Sequence, residues 1–271
     1  MAKVKLQGLS TQERELINIF SANEKVTITS SDIVEIRSCS NEMANQILSR
    51  LAKKGWLQRI RRGVYSIVPI SSLTYNPMIE EIWPLVVDLF KPAYISGWTA
   101  AEHWDLTEQI FNSISVVTQI QPRKNQQLIS GMKVRLRVLK EIYFFGISDI
   151  WFGSNKVAIA NPSRLIIDIL DMPGFGGGGR HTIDIVDSYW KSDIHNSDQL
   201  LEYALKYGKG TVFKRIGFLA EYFKAPVTKM WLSKCQANIT QGISNLDPDS
   251  PSRGKISSKW NLRINVPIET R

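Results

Sequence analysis

Asn41-Glu-Met-Ala-Asn-Gln-Ile-Leu-Ser-Arg-Leu-Ala-Lys53 decides how the first part of this chain folds. Met43, Ala44, Ile47, Leu48, Leu51 and Ala52 recur at helical spacing and gather on one side, which leaves Glu42, Asn45, Gln46, Ser49 and Lys53 on the other. Gly55 ends the helix. Downstream, Trp56 to Ile60 and Val64 to Val68 read as short strands joined by Arg61-Arg62-Gly63, whose glycine suits a tight hairpin turn. Upstream, Ser10 with Glu13 three residues later is a capping box, and it opens a helix to about Asn23 through Leu16, Ile17, Ile19 and Phe20. Val26 to Thr29 is a short β segment, Ser31-Asp32 caps a brief helix through Ile36, and Ser38-Cys-Ser40 turns the chain into the third helix. Helix, short strand, two helices and a hairpin is the order of a winged helix-turn-helix.

Charge follows the same division. The 271 residues carry a formal net charge of +9. Residues 1–72 hold 11 Lys/Arg against 6 Asp/Glu, residues 73–250 hold 18 against 18, and residues 251–271 hold 5 against 1. A localised excess points to a polyanionic partner. A winged helix meets DNA with its third helix and hairpin tip, where phosphates call for Lys and Arg. Arg50, Lys53, Lys54, Arg59, Arg61 and Arg62 occupy those element ends with no acid among them. Asn41, Asn45 and Gln46 are the major-groove candidates because an amide bonds adenine's edge in two places, with Ser38 and Ser40 near the helix start. Glu42 could accept from cytosine or stay solvated. The blander reading is a winged helix that binds protein.

With 43% hydrophobic residues the chain has ample core and is not disordered, and its length suits two units. Cys39 and Cys235 form no disulfide or metal pattern. No signal peptide and no apolar run long enough to span a bilayer is read, so a cytoplasmic protein with no membrane partner is expected. The fold class is α+β, with an N-terminal winged helix-turn-helix at 1–72 and a larger mixed α/β domain at 77–271, joined at Ser71–Pro77. Within the second unit, Pro77 to Phe90 is apolar and partly helical and Tyr94-Ile-Ser96 is strand-like. Thr99 to Leu106 reads as a short helix, and Ile114 to Thr118 and Met132 to Leu139 as paired strands. In the last, Val134, Leu136 and Val138 turn inward and Lys133, Arg135 and Arg137 outward. No acid lies between Glu108 and Glu141, so Arg123, Lys124, Lys133, Arg135 and Arg137 form a second, weaker basic face; a solvated edge strand charged against aggregation fits the same pattern. Asn161-Pro-Ser163 caps a helix through Leu170, Pro173 to His181 reads as a flexible glycine loop, helices follow at 182–189, 197–207 and 211–223, and 260–266 closes as a strand.

Catalytic chemistry finds only fragments. The glycine loop lacks the Lys and hydroxyl of a P-loop, since Arg180-His181 follow it, and Gly208-Lys-Gly-Thr211 fails on spacing. No Asp or Glu has a lysine two positions later, as nuclease centres do, and Gly153-Ser154 has no Asp pair nearby for nucleotidyl transfer. His103, His181 and His195 show no zinc spacing. An enzyme reading would rest on Asp168, Asp171 and His181; a ligand-sensing regulator is the third alternative. No catalytic residue, cofactor or metal site is read.

The order of several short segments carries a resemblance. After the winged helix come Tyr94-Ile-Ser-Gly-Trp-Thr-Ala-Ala-Glu-His-Trp-Asp-Leu-Thr-Glu-Gln109, Ser115-Val-Val-Thr118, Asn161-Pro-Ser-Arg-Leu-Ile-Ile-Asp168 with the glycine run, and Trp260-Asn-Leu-Arg-Ile-Asn265. This resembles the AbiEi antitoxins of bacterial abortive-infection, type IV toxin–antitoxin systems. The resemblance implies a phage-defence protein that is not an enzyme. Its winged helix would bind inverted repeats in double-stranded DNA of its own promoter and repress the operon. Its larger domain would counter a nucleotidyltransferase-like toxin encoded next door.

Overall fold

The computed structural model describes residues 7–22, 26–68, 82–152 and 155–268. The Ser71–Pro77 junction and Gly153-Ser154 lie outside the described residues. The chain opens with α1 (Thr11–Ala22), β1 (Ile28–Thr29), α2 (Ser30–Arg37), α3 (Asn41–Lys53), β2 (Leu57–Arg61) and β3 (Val64–Ile67). β3 pairs antiparallel with both β1 and β2, so the sheet order is β1-β3-β2 and the hairpin is the wing. Leu16, Ile17 and Phe20 of α1, Ile33 of α2, and Ala44, Leu48 and Leu51 of α3 close one core with Ile28, Leu57 and Tyr65. Met43 departs from the expected stripe. It is 56% exposed, because the buried line of α3 runs at i, i+4 and i+7 through Ala44, Leu48 and Leu51, which leaves Met43 on the flank.

The larger unit is built on a six-stranded mixed sheet. Its elements are α4 (Trp83–Leu89), β4 (Ala93–Ile95), α5 (Gly97–His103), β5 (Ser113–Thr118), β6 (Gln126–Ile129), β7 (Met132–Val138), β8 (Ile147–Phe152) and β9 (Asn155–Ala160). The strand order is β6-β7-β5-β4-β9-β8, with β5 parallel to β7 and β4 parallel to β9. Helices α6 (Pro162–Asp171), α7 (Gly179–Lys191), α8 (Ser197–Tyr207), α9 (Gly210–Tyr222) and α10 (Lys229–Ala237) follow. A small sheet of β10 (Ser244–Asn245), β11 (Lys255–Ser257) and β12 (Leu262–Ile264), in the order β10-β12-β11, completes the unit. Asn161 caps α6 by accepting from the Arg164 amide at 2.9 Å, and α6 is buried along nearly its whole length.

Two expectations are corrected. β7 is not an edge: it lies between β6 and β5, and the face carrying Arg135 and Arg137 is turned inward. The glycine run is not a flexible loop. Pro173–Gly176 forms a 3-10 turn, Arg180 and His181 lie inside α7, and the Gly179 amide donates to the Asp247 carboxylate at 3.1 Å. A Cβ at Gly179 would stand 2.5 Å from that of Asp247, so the close approach requires glycine. The carboxylate fills the helix N-terminus that a phosphate would otherwise seek.

Candidate nucleic-acid interface

The turn before α3 is set by two serines. Ser38 ends α2 in the left-handed region at φ 48°, and Ser40 caps α3 by accepting from the Met43 amide at 3.2 Å. Asn41, Asn45 and Gln46 are exposed on α3. The Asn45 side-chain amide donates to the Asn41 carbonyl at 2.8 Å, so reading adenine in two places requires Asn45 to give up that bond. Ser49, placed on the polar side by its spacing, is exposed as well, and one further member of this face was missed in the sequence: Met43, assigned to the core, is exposed beside them.

The cations fall into two groups. Lys53, Arg59, Arg61 and Arg62 are exposed, whereas Arg50 and Lys54 are tied down by Glu13, a buried acid of α1. Glu13 accepts from Arg50 Nε at 3.0 Å and from Lys54 Nζ at 2.6 Å, and it closes the capping box with the Ser10 amide at 2.8 Å. The Arg50 side chain is still 58% exposed, while that of Lys54 is only 22%. Arg50 thus keeps an outward edge, and the charge of Lys54 is largely spent inside the protein.

The bonds from Lys54 and the Ser10 backbone hold the Glu13 carboxyl at about 2, against 4.5 for an ordinary glutamate. A depressed carboxyl stabilises the fold above its unfolded value and loses that contribution as pH falls from 4.5 towards about 2. Glu13→Gln is therefore expected to cost about 1–2 kcal/mol at neutral pH, because Arg50 and Lys54 lose the carboxylate charge and are left with one neutral amide oxygen in place of two. The gap from the parent should narrow below pH 4.5, and denaturant titrations at pH 7 and pH 3 measure both.

The second basic set does not form one face. Arg123, Lys124 and Lys133 are exposed. Arg135 donates from Nη1 to the Gly174 carbonyl at 2.5 Å and lies 5.5 Å over the Trp98 ring. Arg137 is 7% exposed, so its place on an open basic surface is corrected. Its Nη1 donates to the Asp168 carbonyl at 2.8 Å, and Nη2 to the Tyr207 hydroxyl at 3.0 Å and to the Asp171 carboxylate. Register separates the rest. Lys133 pairs with Leu128 and lies roughly 13 Å from Arg137 along β7, while Arg123 and Lys124 precede the paired residues of β6.

Asp168 and Asp171, the acids an enzyme would need, are already saturated with donors. Asp168 accepts from Arg164 Nη2 at 2.9 Å, Ser96 Oγ at 2.8 Å and the Tyr94 hydroxyl at 3.1 Å, all buried. The Arg164 guanidinium lies 4.6 Å from the centre of the Phe145 ring, 5.2 Å from that of Tyr207 and 5.7 Å from that of Tyr94. Asp171 accepts from the Tyr207 hydroxyl and Lys209 Nζ, both at 2.7 Å, and from Arg137. Burial raises the Asp171 carboxyl, but Arg137 and the bonds from Lys209 and Tyr207 outweigh it and hold the group below its usual range. His181 faces elsewhere, with Nε2 3.3 Å from Thr107 Oγ1 and its ring 5.2 Å from that of Phe111. Burial lowers its pKa against the pull of Asp184. Among the described residues, no three His, Cys, Asp or Glu side chains come together as a metal set.

Residues 15–68 match a family model described as a transcriptional regulator, AbiEi antitoxin. Over these residues the winged helix is similar to that family. The AbiEi match spans most of α1 through the end of the wing, and so contains every residue of the first basic set. The crystal structure of the RV2827C protein from Mycobacterium tuberculosis is similar over 96% of this chain and 93% of that one, with a TM-score of 0.62 and 13% identity. At that identity the likeness is one of fold alone, and it extends over both units of the chain. No curated protein sequence matches the chain. Among the described residues no helix is long and apolar enough to cross a membrane.

Proposed function

We propose that this chain represses its own operon by binding inverted repeats in the promoter, and that its larger domain counters a nucleotidyltransferase-like toxin encoded beside it. One observation carries the reading. The AbiEi regulator match coincides with a helix whose exposed face holds Asn41, Asn45 and Gln46 and whose rim holds Lys53, Arg59, Arg61 and Arg62. In this reading the amides discriminate bases and the cations hold phosphates. Ser38 and Ser40 shape the helix start, Arg50 adds its outward edge to the rim, and Lys54, held by Glu13, serves mainly to anchor the end of the helix. Arg123 and Lys124 belong to the larger domain and are not needed for base reading.

Gel-shift titration with the chain's own upstream duplex tests the assignment. Asn45→Ala and Gln46→Ala should each cost about 1–3 kcal/mol of discrimination against scrambled duplex, while binding to scrambled duplex stays nearly unchanged. Equal loss on both duplexes would make these amides general contacts. For the antitoxin half, the chain should restore growth of cells expressing the neighbouring toxin, and the Asn45→Ala, Gln46→Ala double variant should do so as well as the parent. Failure of the parent to restore growth would remove the antitoxin role.

A further inference from the structure

The wing is not free of the larger domain. Val26, Ile60 and Val64, at the edge of the winged helix, pack against the core of the second unit. The Thr27 hydroxyl donates to the Asp88 carboxylate, which also holds Lys91 Nζ at 2.5 Å. Arg61, at the end of β2, donates from Nη2 to the Leu89 carbonyl at 3.3 Å, and its guanidinium lies 5.9 Å over the Phe90 ring. Phe90 is itself fixed, since it is buried and its carbonyl accepts from Thr118 Oγ1 at 2.6 Å.

The chemistry of these partners differs from that around Arg50 and Lys54. Glu13 is a carboxylate and neutralises what it holds. A backbone carbonyl and an aromatic face fix a guanidinium without cancelling its charge. Arg61 remains exposed, so its orientation is constrained while its charge is still available to a phosphate. Fixing a long side chain before binding removes the rotamer entropy that binding would otherwise cost.

We infer that Phe90, Leu89 and Asp88 of the larger domain are positioning residues for DNA binding, holding the wing and Arg61 ready for a backbone phosphate. This rests on the DNA-binding reading above. It makes the second domain part of the DNA-binding apparatus through an intramolecular contact, without requiring it to touch DNA.

The test uses the full chain, its own upstream duplex, and fluorescence anisotropy at several salt concentrations, with circular dichroism to verify folding. Phe90→Leu removes the ring face and keeps apolar bulk; Thr27→Val removes the bond to Asp88 and keeps shape. Each is expected to weaken binding about fivefold. In an Arg61→Gln background Phe90→Leu should cost little more, because the group it positions is gone. Arg61→Lys should fall between the parent and Arg61→Gln, since it keeps the charge and loses the planar fork. A second variant guards against simple misfolding: if Phe90→Leu does not fold, Thr27→Val carries the same test. Unchanged or tighter binding by a folded variant, or a full loss persisting in the Arg61→Gln background, would overturn the inference alone. A parent chain that does not bind the duplex would overturn the DNA-binding reading and this inference with it.

Discussion

Replacing Asp168 with alanine is expected to lower the stability of the larger domain by about 3–5 kcal/mol, enough to unfold much of it. The reason is the partner left behind. Arg164 is fully buried, its Nη2 has Asp168 and Tyr94 as acceptors, and among the described residues its Nε and Nη1 have no hydrogen-bond partner. The three rings around it supply attraction to a cation but cannot supply the counter-charge. Removal of the carboxylate therefore strands a charge that has no path to water, while Tyr94 and Ser96 lose their acceptor as well. Chemical denaturation of the full chain measures the loss. Arg164→Met with Asp168→Leu, which takes out both charges, should recover much of it, because a buried ion pair replaced by apolar groups of similar size is often nearly neutral. A stable Asp168→Ala protein would mean that the network is not closed as described.

The second large effect is expected at the wing. Alanine at both Arg61 and Arg62 should weaken promoter binding roughly tenfold to a hundredfold near physiological salt and reduce the slope of log affinity against log salt by about 1.8. Both residues are exposed at the hairpin end, and Arg61 is held by uncharged partners. The loss should be similar on specific and scrambled duplexes, because phosphates carry no sequence. Retained affinity with an unchanged slope would take the wing out of the interface and leave its cations as a solvated face.

How much of this was legible in the sequence depends on how far apart the deciding residues lie. The winged helix was readable because its signals are local: the Ser10–Glu13 capping box, the stripe in α3 and the Arg61-Arg62-Gly63 turn each fit within a few residues. Even there Glu13 was read only as a cap. Its bonds to Arg50 and Lys54 join α1 to the end of α3, and periodicity has no signal for that. Arg137 shows the limit more sharply. Alternation placed it on an outward face, yet its partners Asp168, Asp171 and Tyr207 arrive from α6 and α8 and cover that face. A strand with both faces covered breaks the rule that charged residues point to water.

The short segments that carried the AbiEi resemblance become intelligible as one scaffold. Tyr94 and Ser96 meet Asp168, Thr99 Oγ1 accepts from the Ser115 amide at 2.9 Å, and Thr107 meets His181. Trp260 donates to Glu221 at 2.7 Å and lies so close to Gly217 that a Cβ there would stand 2.1 Å from its ring. These contacts join residues 16 to 74 positions apart, so their order was visible in the sequence while their common role was not. β8, β9 and α10 were not read, because short amphipathic segments leave helix and strand patterns ambiguous.

The most direct measurement is a gel-shift titration of the full chain on the duplex upstream of its own gene, at two salt concentrations, with a scrambled duplex as competitor. Specific binding that weakens steeply with salt and falls on Asn45→Ala, Gln46→Ala substitution is the expected result. Binding that ignores sequence and salt, or no binding at all, would contradict the account and leave the basic winged helix as a surface for another kind of partner.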